Sequence, residues 1–251
     1  MDLLDAFLIK KGRIITLVGA GGKTTTMFSM GEEALKRCLR VVITTTTRIF
    51  MPPDEESKPV VLARGTGILR SVGEKLKKCP LVVAGAGVTG ENKIVGVDKA
   101  IVPGFLEAGA DIVMVEADGA AGRPFKAPKE GEPVIPGESD LVVPLVGLDC
   151  LGKPLDHEYV HRPEIISELT GIGRGGVVTP AVVAGVYLHP MGYFKDVPSG
   201  CRWIPFINKV ETDSDLRLAR ELADLLGRGG AERVVIGAAR DKDPVREVMV
   251  Y

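Results

Sequence analysis

Residues 14–26 read Ile-Ile-Thr-Leu-Val-Gly-Ala-Gly-Gly-Lys-Thr-Thr-Thr, in which an apolar run meets a glycine-rich turn, a lysine and three threonines. The apolar run predicts a buried strand, and the segment after the turn has the pattern of a helix. A strand, a glycine loop and a helix in this order are typical of a phosphate-binding loop. We therefore predict that a nucleotide is held by Gly19, Ala20, Gly21, Gly22, Lys23, Thr24 and Thr25.

Each part of this loop has a chemical role. Glycines let backbone N–H groups curl around an oxyanion, and the new helix directs its positive end toward the same point. Lys23 is expected to clamp a phosphate and act in catalysis, and Thr24 to offer an oxygen to Mg²⁺. The spacing is G-x-x-G-K-T, shorter than the standard G-x-x-x-x-G-K-[ST], because Leu17 stands where that pattern needs a glycine. The short form also occurs in Mur-type ligases, and the alternative is a glycine turn with a solvated lysine.

Two carboxylates follow a second apolar run. Residues 111–119 read Asp-Ile-Val-Met-Val-Glu-Ala-Asp-Gly, which predicts a buried strand followed by Glu116 and Asp118 at its end. Open α/β sheets bind ligands at the carboxyl ends of their strands, so either acid is a candidate ligand of Mg²⁺. The run resembles a Walker B strand, and we assign Asp118 a catalytic role as well. The alternative is an acid that caps a helix or lies in a loop.

Another apolar run ends at residue 207 and is followed by Asn208, Lys209 and Glu211. This N-K-x-E pattern is close to the guanine-reading N-K-x-D, in which the carboxylate accepts two N–H bonds from the base. We therefore include Asn208 and Lys209 in the nucleotide site. The alternative is that they brace the phosphate loop, so the pattern does not decide between ATP and GTP.

Cationic and hydroxyl side chains follow two of the strands. Residues 44–48 read Thr-Thr-Thr-Thr-Arg, in which Arg48 is expected to neutralise charge during phosphoryl transfer and Thr46 to contact the substrate. Residues 119–137, with four prolines and four glycines, predict a long ordered loop whose Arg123 and Lys126 close over an anionic substrate. The alternatives are the ordinary preference of threonine for strands and the solvation common to charged loops.

Apolar runs alternate with amphipathic segments along the chain, as expected when helices cover both faces of a parallel sheet. We therefore predict an α/β protein with a three-layer, P-loop NTPase-like fold and a mainly parallel sheet. Without an internal repeat or a sharp change in composition, residues 1–251 are expected to form a single domain. Strands are predicted at residues 13–18, 40–44, 81–84, 112–116, 141–144, 203–207 and 234–236, and helices at residues 24–39, 67–78, 98–108, 163–169 and 212–227.

The composition excludes several classes of function. The 251 residues carry 32 Lys and Arg against 33 Asp and Glu, a net charge of −1 that provides no field to hold nucleic acid or an acidic membrane. No apolar stretch approaches the roughly 18 residues of a membrane span. The four cysteines form no C-x-x-C pair, and the first residues do not resemble a signal peptide. We therefore expect a cytoplasmic protein without a nucleic-acid or membrane partner.

Taken together, the motifs resemble those of one known family, the accessory proteins of selenium-dependent molybdenum hydroxylases, called YqeC. The resemblance implies a P-loop fold, nucleotide binding and an accessory role in selenium or molybdenum cofactor maturation, with a hydroxylase or a maturation protein as partner. It does not imply a particular reaction. The matching segments are Val-Gly-Ala-Gly-Gly-Lys-Thr-Thr at 18–25, the threonine-rich 44–48, Gly-Ala-Gly-Val-Thr-Gly at 85–90, Val-Glu-Ala-Asp-Gly at 115–119, Arg-Pro-Phe-Lys-Ala-Pro at 123–128, Gly-Leu-Asp at 147–149, His-Arg-Pro-Glu at 161–164 and Phe-Ile-Asn-Lys at 206–209.

Three hypotheses for the function follow. The first is a Mg²⁺-dependent NTPase or nucleotide-using transferase that serves cofactor maturation. The second is a nucleotide-gated, metallochaperone-like binding module. The third, which rests on the short loop, is a Mur-like ligase or small-molecule kinase. All three require Mg²⁺ with ATP or GTP.

Overall fold

The computed structural model describes residues 1–52 and 58–251. Within these residues, no helix combines the length and the apolar character that crossing a membrane requires. The strands are β1 (Arg13–Gly19), β2 (Val41–Thr45), β3 (Arg48–Phe50), β4 (Val60–Leu62), β5 (Leu81–Gly85), β6 (Gly87–Val88), β7 (Lys93–Val95), β8 (Ile112–Glu116), β9 (Phe125–Lys126), β10 (Leu141–Gly147), β11 (Val160–His161), β12 (Arg202–Trp203), β13 (Phe206–Asn208), β14 (Arg233–Gly237) and β15 (Val245–Val250). The helices are α1 (Leu3–Ala6), α2 (Lys23–Lys36), α3 (Gly67–Leu76), α4 (Gly104–Glu107), α5 (Pro163–Thr170), α6 (Pro180–Leu188) and α7 (Asp213–Arg228).

In the described part of the chain, ten strands form the main sheet, in the order β15-β14-β13-β10-β1-β8-β2-β5-β4, with β12 paired to β10. β14 and β15 are antiparallel, and the other neighbours are parallel. Every residue of β2, β8 and β10 is buried, as a strand covered on both faces requires. The predicted α/β class with a mainly parallel sheet is therefore confirmed.

Helices cover both faces of this sheet. On one face, Ile15 and Leu17 of β1 pack with α1 and α2, and α2 contributes Met27, Met30 and Ala34 at helical spacing. On the other face, α3 and α4 cover the half that contains β8, β2 and β5. The helices α5, α6 and α7 cover the half from β10 to β14. The arrangement is a three-layer one, with the sheet between two layers of helices.

The strand register brings the predicted functional segments to one edge of the sheet. Leu17 of β1 pairs with Glu116 of β8, and Gly19 pairs with Leu145 of β10. On the far side of β8, Thr45 of β2 also pairs with Glu116. Because these strands are parallel, their carboxyl ends meet at the edge where open α/β sheets bind ligands.

Two small sheets lie beside the main one. The strands β3, β7 and β6 form an antiparallel sheet, and β9 pairs in parallel with β11. Residues 119–137, predicted as a long loop, contain β9 as their one regular element in this described part of the chain. The pairing of β9 with β11 anchors that loop.

Two predicted elements are interrupted in the structure. The predicted helix 98–108 consists of a 3₁₀ turn at Lys99–Ile101 followed by α4, because Pro103 has no N–H to continue a helical series. The predicted strand 203–207 is divided between β12 and β13. The helices α1 and α6, the edge strands β4 and β15 and the short strands of the small sheets were not predicted.

Candidate functional site

The phosphate loop turns sharply through three glycines. Gly19, Gly21 and Gly22 have φ values of +89°, +83° and +119°, a region that residues with a Cβ rarely adopt. The Ala20 N–H donates to the Leu145 carbonyl of β10 at 2.9 Å, which holds the turn against the neighbouring strand. The conformation of the loop is therefore set by the protein's own backbone contacts.

Four backbone N–H groups at the start of α2 have no acceptor among the described residues. Within the described residues, the amides of Gly22, Lys23, Thr24 and Thr25 make no hydrogen bond, whereas the Thr26 N–H donates to the Gly22 carbonyl at 2.9 Å. Residues 22–25 line a cavity of about 880 Å³. Unpaired amides at a helix N-terminus attract negative charge, so this geometry suits a phosphate oxyanion.

Lys23 lies buried between the two acids of the β8 end. Its Nζ is 3.1 Å from Asp118 Oδ1 and 3.6 Å from Glu116 Oε1, and it donates to the Gly19 carbonyl at 2.6 Å. Burial disfavours the charged ammonium, but the two carboxylates outweigh this effect and hold the pKa of Lys23 above its ordinary value. Lys23 is therefore charged at neutral pH, as a phosphate clamp must be.

The two acids have different surroundings. Glu116 lines the cavity and accepts a hydrogen bond from Thr24 Oγ1 at 2.7 Å. Burial raises the pKa of Glu116, and Lys23 and Thr24 oppose that shift only in part. Asp118 is completely buried, accepts a hydrogen bond from the Gly19 N–H at 3.0 Å and does not line the cavity. Of the predicted metal ligands, Thr24 and Glu116 are brought together at the cavity, whereas Asp118 contacts Lys23 instead.

Thr24 and Glu116 bring two oxygens together at the cavity, 2.7 Å apart. Among the residues that the structure describes, no group of three or more His, Cys, Asp or Glu side chains is placed to hold a metal ion. Mg²⁺ commonly takes one or two protein oxygens and completes its six ligands with waters and substrate phosphates. The pair therefore fits Mg²⁺ as a complex with phosphate, and not as a metal site built from protein alone.

Lys126 does not line the cavity, although the sequence predicted that it contacts the substrate. Its side chain is completely buried, with Nζ 2.8 Å from Asp118 Oδ2 and 3.1 Å from Glu132 Oε2. The pairing of β9 with β11 places it there, so the predicted substrate contact is corrected to a buried ion pair. Thr46, the other predicted contact, donates its hydroxyl to the Val134 carbonyl at 2.7 Å and does not line the cavity either.

Opposite charges alternate from the phosphate loop to the far wall of the cavity. Beyond Lys126, Glu132 accepts two hydrogen bonds from the Arg162 guanidinium, at 2.7 and 3.0 Å, and Arg162 lines the cavity. This buried ion-pair chain connects α2 to the residues that precede α5. It consists of Glu116, Lys23, Asp118, Lys126, Glu132 and Arg162.

The ion pairs of Glu132 predict a pH-dependent stability. Partial burial alone would raise the pKa of Glu132, but Arg162 and Lys126 outweigh it and hold that pKa at about 2. Because this value lies below the roughly 4.3 of an unfolded glutamate, the pairs stabilise the fold above that pH and their contribution falls toward pH 2. We expect Glu132→Gln to lower the free energy of unfolding by roughly 3 kcal/mol at pH 7.

Urea unfolding at pH 7, 4 and 3 measures this contribution. The difference between the wild type and Glu132→Gln is expected to shrink as the pH falls, because protonated glutamate is close in shape and charge to glutamine. Glu138→Gln, at an exposed acid directly after the loop of residues 119–137, serves as the control and is expected to change stability by less than about 0.5 kcal/mol. A Glu132→Gln difference that stays constant from pH 7 to pH 3 would contradict the assignment.

Most of the charged residues that line the cavity are cations. Arg48 and Arg123, both predicted at the site, are among its lining residues. In all, seven lysines and arginines line it, and Glu116 is its one carboxylate among the described residues. Such a cavity attracts anions.

Asn208 holds the phosphate loop in place. Its side-chain amide donates to the Gly21 carbonyl at 2.8 Å, and its Oδ1 accepts from the Ala239 N–H at 2.9 Å. Lys209 lines the cavity and pairs with Asp149 at 2.7 Å. Glu211 is exposed and does not line the cavity. These contacts favour the bracing role that the sequence left as an alternative to guanine reading.

A family model described as YqeC protein matches residues 15–164, which is more than half of the chain. The chain belongs to the YqeC family. The "Uncharacterized protein YqeC" of Escherichia coli (strain K12) is 32% identical over 238 residues, which cover 94% of this chain and 91% of that relative. The predicted family resemblance is therefore confirmed, and the segment matched by the YqeC model contains the phosphate loop, both acids and Arg162 but not Asn208.

Sequence reasoning missed several cavity residues of this member of the YqeC family, among them an aromatic residue and three cations. Phe50 and Lys93 lie on β3 and β7, and Arg162 and Arg240 follow β11 and β14. Phe50 stands two positions after Arg48, so the alternation of a strand was a signal that could have placed it on the same face. The pairing of β3 with β7 joins segments far apart in the sequence, and no local pattern reveals it.

Proposed function

We propose that this protein binds a Mg²⁺–nucleoside triphosphate at the phosphate loop and hydrolyses it or uses it in a transfer reaction. The observation that carries the proposal is the set of unpaired amides at residues 22–25, which open into the cavity beside the buried ammonium of Lys23. The phosphate groups of a nucleotide are the ligands that such donors bind in other glycine loops of this kind.

Each residue of the site has its own role in the proposed reaction. Lys23 exchanges Asp118 for a phosphate oxygen and balances charge that develops during phosphoryl transfer. Thr24 and Glu116 hold Mg²⁺, which when bound neutralises charge on the phosphates. Arg48 adds a second cation from another wall of the cavity. Asp118 is a positioning residue, because its oxygens contact Lys23 and the Gly19 N–H and not the cavity.

The motif resemblance suggests which cellular process this activity serves. The resemblance to accessory proteins of selenium-dependent molybdenum hydroxylases points to maturation of their selenium or molybdenum cofactor, with a hydroxylase or a maturation protein as the partner. In the gated form of this role, the nucleotide state controls docking, and hydrolysis is slow until the partner is added. Partner affinity that is equal with ATP and with ADP, or with GTP and GDP, would contradict that form.

One observation favours a second candidate function, a nucleotide-dependent ligase or small-molecule kinase. The cavity extends from the phosphate loop to β3 and β7, which lie beyond the residues that contact phosphate. An enzyme of this class needs room for an acceptor beside the nucleotide. Phosphate release that requires an added acceptor would distinguish this function from simple hydrolysis.

Replacing Thr24 by valine tests the proposed nucleotide site. Valine keeps the shape of threonine but removes the oxygen that contacts Glu116 at 2.7 Å. We expect Mg²⁺ to tighten the binding of ATP or GTP to the wild type, and this tightening to fall roughly tenfold or more in Thr24→Val, because a hydrogen bond to a charged partner and a metal ligand are lost. Isothermal titration calorimetry with each nucleotide, with and without Mg²⁺, measures the effect.

Lys36→Ala is the matched control, since Lys36 is exposed in the last turn of the same helix. Its nucleotide binding is expected to equal that of the wild type. Lack of binding of either nucleotide to the wild type would overturn the proposed function. Wild-type Mg²⁺ dependence in Thr24→Val would remove Thr24 from the metal site.

A further inference from the structure

The three-stranded sheet forms one wall of the cavity. In β3, Arg48 and Phe50 are exposed on one face and Ile49 is buried on the other, as the alternation of a strand requires. Phe50 pairs in register with Lys93 of β7, whose Nζ lies 5.0 Å from the centre of the Phe50 ring. Arg48, Phe50 and Lys93 therefore share one face, which we call the β3 wall, and all three line the cavity.

The order of strands separates the β3 wall from the opposite end of the cavity. β1 and its phosphate loop lie in the middle, with β10, β13 and β14 on one side and β8 and β2 on the other. Lys209 and Arg240 follow β13 and β14, whereas the β3 wall follows β2. A triphosphate on the loop can thus extend its nucleoside toward β13 and β14 and leave the β3 wall open.

The cavity extends beyond the phosphate loop. Its volume of about 880 Å³ is near the upper end of the roughly 300–1,000 Å³ typical of small-molecule sites. The phosphate loop forms one part of the lining, and the three-stranded sheet of β3, β7 and β6 forms another. The β3 wall therefore belongs to a part of the cavity that the phosphate loop does not line.

The side chains of the β3 wall specify a class of ligand. Phe50 is 67% exposed, which leaves most of its ring open to stack on a flat partner. Arg48 and Lys93 place two cations beside that ring, and Arg123 adds another cation to the lining of the cavity. Lys93 also pairs with Glu91 at 2.7 Å, but Glu91 is so exposed that solvent screens this contact. A flat ring that carries an anionic group satisfies both kinds of side chain.

We propose that the β3 wall binds the second substrate, a small molecule with a flat ring system and a phosphate or carboxylate group. The ring stacks on Phe50, and the anionic group lies between Arg48 and Lys93. As the site of an acceptor, the β3 wall rests on the proposed nucleotide function, although its ability to bind such a molecule is measurable without nucleotide.

Fluorescent naphthalenes test the β3 wall. The probes are 2-naphthyl phosphate and 2-naphthoate, which separate the two anionic groups, and the uncharged 2-naphthol. We expect at least one anionic probe to bind the wild type more tightly than 2-naphthol does. Phe50→Ala and Phe50→Leu are expected to weaken that binding about fivefold or more, and Phe50→Tyr to retain it, because stacking requires an aromatic ring. Lys93→Gln is expected to weaken the anionic probes but not 2-naphthol.

Val88→Ala is the matched control. Val88 is an exposed apolar residue of the same small sheet, pairs in register with buried Ile94 and does not line the cavity. Its probe binding is expected to match the wild type. Equal binding of the anionic probes to the wild type and to both Phe50→Ala and Phe50→Leu would overturn the proposal, as would no binding to the wild type.

The same variants separate this inference from the proposed function. Titration of Phe50→Ala with ATP and GTP in the presence of Mg²⁺ is expected to give wild-type affinity. Weaker nucleotide binding in Phe50→Ala, or displacement of the bound probe by nucleotide, would place the nucleobase on the β3 wall and overturn the inference while leaving the nucleotide site intact. Failure of the wild type to bind either nucleotide, with probe binding that depends on Phe50, would overturn the proposed function alone.

Discussion

Asp118→Asn is expected to lower the free energy of unfolding by about 3–5 kcal/mol, because it leaves buried cations without their shared counter-charge. Asp118 is completely buried, with one oxygen 3.1 Å from Lys23 Nζ and the other 2.8 Å from Lys126 Nζ. Both lysine side chains are themselves at most 3% exposed, so solvent cannot replace the lost carboxylate. Asparagine has nearly the same shape, so the change reports the charge and not a cavity. Urea unfolding at pH 7 measures it.

Asp149→Asn is the matched control for this experiment. It is the same substitution in an ion pair of similar length, 2.7 Å from Lys209 Nζ, but the Asp149 side chain is 49% exposed. Exposed pairs contribute about 0–1 kcal/mol, so the expected loss is several times smaller. If both variants lost the same free energy of unfolding, the buried ion-pair chain would stabilise the fold no more than an exposed ion pair does.

Gly21→Ala is expected to abolish nucleotide binding and to destabilise the protein by several kcal/mol, since both strain and collision oppose it. Gly21 has a φ of +83°, and a Cβ at that position would lie 2.6 Å from Gly147 Cα and closer still to the Gly147 nitrogen. The colliding atoms belong to the backbone of β10, so no side-chain rotation relieves them. The loop or the strand would have to move, and the amides of residues 22–25 would move with it.

Gly12→Ala separates the two causes. Gly12 has a similar φ of +76°, but nothing lies within 4 Å of an added Cβ. This variant therefore carries the backbone strain without the collision, and its expected cost is about 1 kcal/mol with unchanged nucleotide binding. Thermal unfolding and calorimetry with ATP and GTP measure both quantities. Wild-type nucleotide affinity in a folded Gly21→Ala protein would show that the loop does not need its present conformation.

Strong local patterns explain why much of the fold was predictable. The run at residues 13–18 is apolar enough for a strand covered on both faces, and the glycines after it allow the turn into α2. The same holds for β8, whose apolar run ends at the two acids. The amphipathic α7 also has a clear start, a capping box between Thr212 and Asp215. Each of these signals lies within one short segment.

The elements that were not predicted lack a periodic pattern of apolar residues or depend on contacts with distant segments. Residues 180–188 are apolar on all sides, so no amphipathic pattern marks α6, which packs between α5 and α7. A threonine cap followed by a proline at its first turn was the available signal. The edge strand β15 and the small sheets depend on pairings that the sequence does not display.

The candidate site was predictable in its chemistry but only partly in its geometry. The glycine loop, Lys23, Thr24 and Glu116 are close to one another as expected, because parallel strands end at one edge. The burial of Lys126 was not predicted, because the sequence does not distinguish a solvated loop lysine from one that a distant strand buries. Asn208 was assigned two possible roles, and its contacts with the loop favour one of them.

The braces of the phosphate loop also determine when this site can form during synthesis. Asn208 stands 187 residues after Gly21, whose carbonyl it holds. At roughly 5–20 residues per second, a ribosome needs about 10–40 s to make the chain between them. During that interval the glycine loop has emerged without its amide brace, although β8 and β10, the strands that pair with β1, are made before Asn208. A nucleotide bound as proposed would therefore meet the braced loop only when the chain is nearly complete, and its binding energy would stabilise that late state.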